Sequence, residues 1–234
     1  MNINCSFKQH NVRSLNLSEG LVKTRKKIDA LTHEGDDIIF IINCQIGKNK
    51  ATVQREFLTC KNGPYMTYFN SESPRAAGVG IAIKLCSEVE ILDQAKDNDD
   101  RILILKTMIE DEIITLVSFC DANENKDVHL KKLEDLLYVE QGVVIGADCN
   151  NFADNRRDQK GNAAKPHYRT KATKYHMDWK ADHKFHDIYR HNNPEGRDLT
   201  YLKDGNDRKR VDKGTRIDKF LVTEDLLINE VMKC

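Results

Sequence analysis

Most features that would mark a membrane, secreted or repeat protein are missing from this chain. No apolar run approaches the roughly 18 residues that a bilayer-spanning helix needs, so no helical membrane span is expected. The opening Met1-Asn2-Ile3-Asn4-Cys5 has no basic segment leading into an apolar one, so no secretory signal is expected either. Only 4 prolines and 12 glycines occur in 234 residues. Neither type gathers into a linker, and no repeat or low-complexity tract interrupts the chain. The 7 cysteines are an odd number without C-x-x-C spacing. Cys44, Cys86 and Cys120 fall in strand-like segments, where a thiol behaves as a small buried hydrophobe. That usage points to a reducing, intracellular setting, nuclear or cytoplasmic. Gly47-Lys48-Asn49-Lys50 lacks the second glycine spacing and the Ser/Thr of a phosphate-binding P-loop.

What is present fits one soluble globular domain over residues 1–234. Charged residues make up 32% and hydrophobic ones 39%, enough apolar material for a core and too much for a disordered chain. Thirty-seven basic residues balance thirty-seven acidic ones. The whole molecule is therefore no electrostatic magnet for nucleic acid, yet its charge is unevenly placed. Arg156, Arg157, Lys160, Lys165, Arg169, Lys171 and Lys174 face a single acid, Asp158, between 155 and 174. Arg208, Lys209, Arg210, Lys213 and Arg216 face only Asp212. Each stretch is either a phosphate-backbone contact or a solvated loop.

Hydrophobic period sets the elements. Residues 3–12 read as extended. Residues 19–33 read as an amphipathic helix, with Leu21, Ile28 and Leu31 on one face and Gly35 as its stop. Ile38-Ile39-Phe40-Ile41-Ile42 is apolar on both faces, as in a strand covered from both sides. A helix over 51–58 and a strand over 65–69 follow. Four extended segments, 78–85, 88–94, 101–109 and 112–120, are joined by brief turns and suit antiparallel hairpins. Residues 127–138 form an amphipathic helix, 142–148 a buried strand, 178–185 a helix, 199–202 and 217–222 strands, and 225–231 a closing helix. The expected fold class is α/β: a four-layer α/β sandwich of two mainly antiparallel packed sheets flanked by helices, here without its last strand.

Two acids stand out because they sit at the ends of apolar strands: Asp148 in Val143-Val144-Ile145-Gly146-Ala147-Asp148, and Asp218 in Arg216-Ile217-Asp218-Lys219-Phe220-Leu221-Val222. A carboxylate in such a place is costly without a partner or a metal. Converging on one site, the pair would suit metal-assisted phosphate chemistry. The histidines His176, His183 and His186 lie near Asp178, Asp182 and Asp187, and His183-x-x-His186 could share a helical face. No thiolate joins them at zinc-finger spacing, so a polar surface helix is the better reading.

The order of several blocks resembles the endonuclease/exonuclease/phosphatase family, and within it the apurinic-type endonuclease domain of LINE-type (non-LTR) retrotransposons. Asn11-Val12-Arg13-Ser14-Leu15 is similar to its opening Asn-bearing strand end. Asp37 to Cys44 is similar to its second strand, and Arg75 to Ile83 to its Gly-Gly-Val-Ala-Ile strand. Gly146-Ala147-Asp148-Cys149-Asn150 resembles Gly-Asp-Phe-Asn. Asp187 to Pro194 with Leu199-Thr200-Tyr201 resembles Asp-x-Trp-Arg-x-x-x-Pro followed by Phe-Thr, and Arg216-Ile217-Asp218 resembles the Arg-Ile-Asp block.

The resemblance implies phosphodiester hydrolysis on DNA with Mg²⁺ (or Mn²⁺) as cofactor, no membrane partner, and relatives embedded in retroelement polyproteins. It implies that Asp148 and Asn150 orient the attacking water and bind phosphate. Asn11 and Asn43 would hold the metal or its waters, and Asp218 would orient a general-base histidine. Thr200, Arg216 and Cys120 would lie on the substrate side. Three departures accompany it. Asn43 replaces the metal-binding glutamate, Cys120 replaces the active-site tyrosine, and the Ser-Asp-His block with the catalytic histidine does not follow before Cys234. A nuclease-fold protein that binds nucleic acid or a protein partner without catalysis is the alternative. A phosphatase acting on a small phosphate ester also remains open, because the same site chemistry serves both substrates.

Overall fold

A computed structural model gives the structure for residues 5–73, 76–121, 126–137, 142–150, 159–160, 171–196, 200–202 and 214–228. The first sheet uses β1 (Phe7–Asn11), β2 (Ile38–Ile42), β3 (Tyr65–Asn70) and β4 (Val79–Lys84), with α1 (Leu21–Leu31) and α2 (Lys50–Leu58) between its strands. Next come β5 (Val89–Lys96), β6 (Ile102–Ile109), β7 (Glu112–Cys120), α3 (Lys126–Leu136) and β8 (Val143–Asp148). The remainder comprises β9 (Gln159–Lys160), α4 (Lys171–Asp182), β10 (Phe185–Asp187), α5 (Ile188–Asn192), β11 (Tyr201–Leu202), β12 (Gly214–Thr215), β13 (Asp218–Thr223) and α6 (Glu224–Ile228). The strand orders are β1-β2-β4-β3 and β10-β13-β8-β7-β6-β5, with β11-β12-β9 as a small third sheet.

Most pairings are antiparallel, as expected. Two are parallel, β1 with β2 and β7 with β8. Each parallel pair is joined through a helix, α1 or α3, because two parallel strands cannot be linked by a tight hairpin.

The alternation of β2 shows how the layers form. Ile38, Phe40 and Ile42 point into the space between the two sheets, where they meet Leu103, Leu105, Leu116, Val144 and Val222. Ile39 and Ile41 point the other way, against Ile28 and Leu31 of α1 and Val53 and Phe57 of α2. The second sheet is covered likewise: Val117, Phe119, Val143 and Ile145 pack on Leu130 and Leu133 of α3 and Trp179 of α4. Helix, sheet, sheet and helix stack as four layers, and the site acids sit at one rim of the two inner layers.

Two sequence expectations shift. The helix placed over 19–33 is divided, because Gly20 at φ +88° separates a 3-10 turn at Leu17–Glu19 from α1. The helix placed over 178–185 ends at Asp182. Trp179 stacks on Phe185 at 4.9 Å, which draws the chain into β10 after a turn at His183 and Lys184. His183 and His186 therefore share no helical face, and His176 is buried rather than on a polar surface. Of the two basic stretches, only residues 159–160, 171–174 and 214–216 lie within the described residues.

Gly146 shows a close approach that the sequence hides. A Cβ there would lie 2.5 Å from Cγ of Phe40, the ring that faces Phe220 edge-on at 5.4 Å across the sandwich. Gly146→Ala should lower unfolding free energy by about 1–3 kcal/mol through overpacking. The paired change Phe40→Leu/Gly146→Ala should cost less than the sum of the two single changes. Urea unfolding of the four proteins measures this, and strict additivity would mean that the two sites do not press on each other.

Candidate active site

Residues two apart on a strand share a face, and this periodicity builds the site. Val144, Gly146 and Asp148 of β8 face the first sheet, as do Phe220 and Asp218 of β13 and Leu116, Ser118 and Cys120 of β7. Register then aligns the ends: Cys120 pairs with Asp148, and Asp148 pairs with Asp218. From the other sheet, Asn11 ends β1 opposite Ile42 of β2, so Asn43 follows at the same rim. Asn11 Nδ2 crosses to Asp148 Oδ2 at 2.9 Å. Residues far apart in sequence thus meet around an open cavity of about 360 Å³ lined by Asn11, Asn43, Cys120, Asp148, Asn150, Thr200 and Asp218.

Main-chain bonding fixes these groups. Asn150 N donates to Asp148 Oδ1 at 3.0 Å, and Asn150 Nδ2 donates to the Asp121 carbonyl at 2.7 Å. Thr200 Oγ1 accepts from both Ile217 N and Asp218 N at 3.0 Å, tying the 200 segment to the start of β13. On the first sheet, Ser14 N donates to Asn43 O at 2.8 Å and Cys44 N to Gly78 O at 3.0 Å, so the ladder continues past the strand ends. Gly78 needs to be glycine, since its φ is +65° and a Cβ would lie 2.3 Å from Ser71 Oγ. Arg13, Asn43, Gln45 and Asn150 also hold positive φ, at 50°, 61°, 47° and 44°. Such conformations cost about 1–3 kcal/mol each and survive only where the surroundings over-determine them.

Electrostatics differ from group to group. Asp148 is 4% exposed. Burial pushes the Asp218 carboxyl above the ordinary aspartate range, against hydrogen bonds from Thr200 and Asn11. The buried Cys120 thiol is raised by desolvation and then by Asp148, which keeps it a neutral thiol at physiological pH. It is therefore poorly suited to act as a nucleophile or a metal thiolate. Among the described residues, no histidine lines the cavity.

Six further residues complete the lining: Arg13, Gln45, Ala77, Arg101, Asp121 and Ile217. Arg13 and Asp121 lie beside motif residues, so their proximity to the rim could have been read from the sequence. Arg101, which donates from Nη1 to the Cys120 carbonyl at 3.0 Å, lies outside the motif blocks, and its only signal was the expected hairpin that sets 101 opposite 120. Arg216 is placed elsewhere. It is 2% exposed and grips Asp187 with both guanidinium nitrogens, 3.3 Å from Nη1 to Oδ1 and 2.5 Å from Nη2 to Oδ2. Its guanidinium also stacks on Tyr189 at 5.1 Å. Asp187 in turn caps α5, accepting from Arg190 N. Arg216 thus anchors the base of β13 and does not line the cavity.

The donor set was tested against a hard divalent cation. Asn11 Oδ1 and Asp218 Oδ1 are buried oxygens without hydrogen-bond partners, and Asn43 Oδ1 takes only a 3.3 Å contact from Gln45 Nε2. Among the described residues, no three His, Cys, Asp or Glu side chains stand close enough to hold an ion by themselves. Amide and carboxylate oxygens with room for water fit Mg²⁺, which retains several waters and takes few protein ligands. They do not form a closed protein cage.

The raised Asp218 carboxyl has a consequence for stability. A carboxyl that holds its proton more tightly when folded favours the folded state below the unfolded value, about 3.9. That contribution is lost as pH rises through the raised folded value. With divalent ions removed by chelation, Asp218→Asn should exceed the wild type in stability at pH 7. The wild type should also show a decline above pH 4 that the variant lacks. Urea midpoints across pH 4–8 measure both, and parallel pH profiles would show that the carboxyl is well solvated.

No protein-family model matches the sequence, and no curated protein matches it. Solved structures do. The AP endonuclease from Leishmania major superposes with a TM-score of 0.69 at 14% identity over 95% of this chain and 80% of that one. The 3′-5′ exonuclease from Neisseria meningitidis gives 0.66 at 16% identity over 95% and 88%. An AP endonuclease from Archaeoglobus fulgidus gives 0.62 at 19% identity over 95% and 88%. The likeness spans nearly the whole chain and includes both sheets, so this protein has the α/β-sandwich fold of the AP endonucleases and 3′-5′ exonucleases.

Proposed function

We propose that this chain is a divalent-metal-dependent nuclease that hydrolyses DNA phosphodiesters as an endonuclease of the retrotransposon type. One observation carries the reading: Asp148 and Asp218 are direct cross-strand partners at one rim, with Asn11 from the opposite sheet bonded to Asp148. The fold is shared with proteins described as AP endonucleases and with a Neisseria protein described as a 3′-5′ exonuclease and, in a form bound to a product DNA hairpin, as a 3′ phosphatase. The two basic stretches favour a polymeric substrate over a small phosphate ester.

On this reading, Asp148, held by Asn11 and by Asn150 N, accepts a hydrogen bond from the attacking water and orients its oxygen toward phosphorus. Asn150 helps orient the water and bind the phosphate. Arg13 and Arg101, both on the cavity wall, face the phosphate and offset the charge that gathers on its oxygens as the P–O bond to the leaving oxygen breaks. Thr200 fixes the start of β13 and hence Asp218. Asn11 and Asn43, with Asp148 close by, would hold Mg²⁺ or Mn²⁺ and its waters, and the ion supplies charge neutralisation on the phosphate and a more acidic water. No helix among the described residues is long and apolar enough to cross a membrane.

A second reading, a nuclease-fold protein that binds nucleic acid or a protein partner without cutting, is favoured by Asn43. That side chain is an uncharged amide turned toward Gln45, where a carboxylate would attract the ion more strongly. Purified protein with Mg²⁺ should nick supercoiled plasmid, and Asp148→Ala should reduce nicking by about 10²–10⁴-fold, the range for a removed polar catalytic group. Equal nicking by wild type and variant would sink the nuclease reading. Salt-sensitive DNA binding without cleavage, together with Mg²⁺ affinity and nicking gained by Asn43→Glu, would favour the second reading.

A further inference from the structure

Asn11 reaches Asp148 from an edge strand whose place in its own sheet is set by the parallel ladder to β2, so what further contacts must fix is its placement across the sandwich. Among the described residues β1 is an edge strand paired with β2 alone, and its other contacts toward the second sheet include the ring of Phe7 near Phe220 at 6.3 Å. A ring contact of this kind holds the two sheets together with less positional precision than a hydrogen bond. One polar side chain on the inner face of β1 does set a position along the strand. Gln9 Nε2 donates to the Ala147 carbonyl at 2.9 Å, and Ala147 N donates back to Gln9 Oε1 at 3.2 Å. The side-chain amide thus pairs with the N–H and C=O of one residue of β8 much as a neighbouring strand would, but it does so across the sandwich, from one sheet to the other.

Gln9 and Asn11 are two residues apart on β1, and their partners Ala147 and Asp148 are neighbours on β8. We propose that Gln9 is a positioning residue: its two bonds to Ala147 pin β1 to β8 and thereby set the contact between Asn11 and Asp148. The proposal rests on the nuclease reading of the cavity for its kinetic consequence only. Two directional bonds tie the inner face of β1 to one residue of β8 across the sandwich. A misplacement of about 1 Å at a reacting centre is enough to cost on the order of 10²-fold in rate. Apolar packing of Phe7 and Phe220 would keep the sheets together without Gln9, but without a hydrogen-bonded tie beside Asn11.

Gln9→Met keeps the length of the side chain and removes both donor and acceptor. In the plasmid-nicking assay its kcat should fall about 10–100-fold with KM unchanged. In an Asn11→Ala background the same change should cause no further loss, because Gln9 acts through Asn11. The proposal is overturned if kcat is unchanged, or if the loss from Gln9→Met is as large without Asn11 as with it. An activity-independent arm uses the ¹⁵N–¹H signals of the Asn11 side-chain amide in metal-free protein. Gln9→Met should shift them in the same direction as Asp148→Ala does, and unmoved signals overturn the proposal. If wild-type protein does not nick plasmid at all, the nuclease reading fails while the amide signals still decide the role of Gln9. Should Gln9→Met not fold, Gln9→Glu retains the side-chain volume, loses the donor to Ala147, and carries the same kinetic and spectroscopic tests.

Discussion

Two carboxylates placed side by side on neighbouring strands form the constraint on which the rest of this molecule turns. Directly opposed residues in an antiparallel pair lie about 4.5–5.5 Å apart at Cβ, and like charges there are destabilising. Asp148 and Asp218 occupy such a pair. Burial adds to the cost, since Asp148 is 4% exposed and Asp218 is held above its ordinary pKa by desolvation. A fold selected for stability alone would place an apolar or oppositely charged pair at this rung. The surrounding structure instead supplies local compensation. Asn11 and Asn150 donate to Asp148, Thr200 holds the main chain of β13, and Arg13 and Arg101 bring positive charge to the same cavity. The positive-φ residues around the rim point the same way, because strain of that kind is retained where geometry matters more than local comfort.

How much of this could be read from the sequence depends on which physical signal carried each part. Both-face apolar runs such as Ile38–Ile42 announce strands covered on two sides, and they emerged as the centre of a four-layer stack. Asp148 and Asp218 were legible because an acid inside an apolar strand has few innocuous explanations. Their adjacency was not, since register between β8 and β13 is set by the whole apolar pattern of two strands separated by nearly seventy residues. Arg101 escaped notice because it is a lone cation in front of an ordinary hydrophobic strand. The expected hairpin of 101–109 with 112–120 set it opposite Cys120, but only the folded structure shows its guanidinium turned to the Cys120 carbonyl at the cavity wall.

Arg216 and the histidines show the opposite case, in which tertiary packing placed side chains where the sequence pattern did not. The family resemblance put Arg216 on the substrate side, but Asp187 binds both of its terminal guanidinium nitrogens. A buried bidentate pair of this kind is satisfied, and breaking it would leave an uncompensated buried charge. Trp179 has a similar effect on the histidines. By stacking on Phe185 it ends the helix early and sends His183 and His186 into different elements. Gly146 carried no readable signal at all, because the ring it accommodates belongs to a strand more than a hundred residues away.

The departures at positions 43 and 120 have different physical weights. Cys120 lies in a crowded, buried position with the proton held on sulfur, so it adds neither charge nor nucleophilicity and acts mainly through the space it leaves. Asn43 changes the charge at the rim. With an amide there, the cavity keeps the carboxylates Asp121, Asp148 and Asp218 against the guanidinium groups Arg13 and Arg101, an excess of one negative charge if all are ionised. A hard divalent ion drawn to so small an excess would depend more on oxygens brought by the substrate, since Mg²⁺ commonly completes its shell with waters and phosphate. On the proposed reading, metal and DNA would therefore each strengthen the binding of the other, by equal factors. A single amide in place of a carboxylate would convert a site that holds its ion beforehand into one assembled together with its substrate.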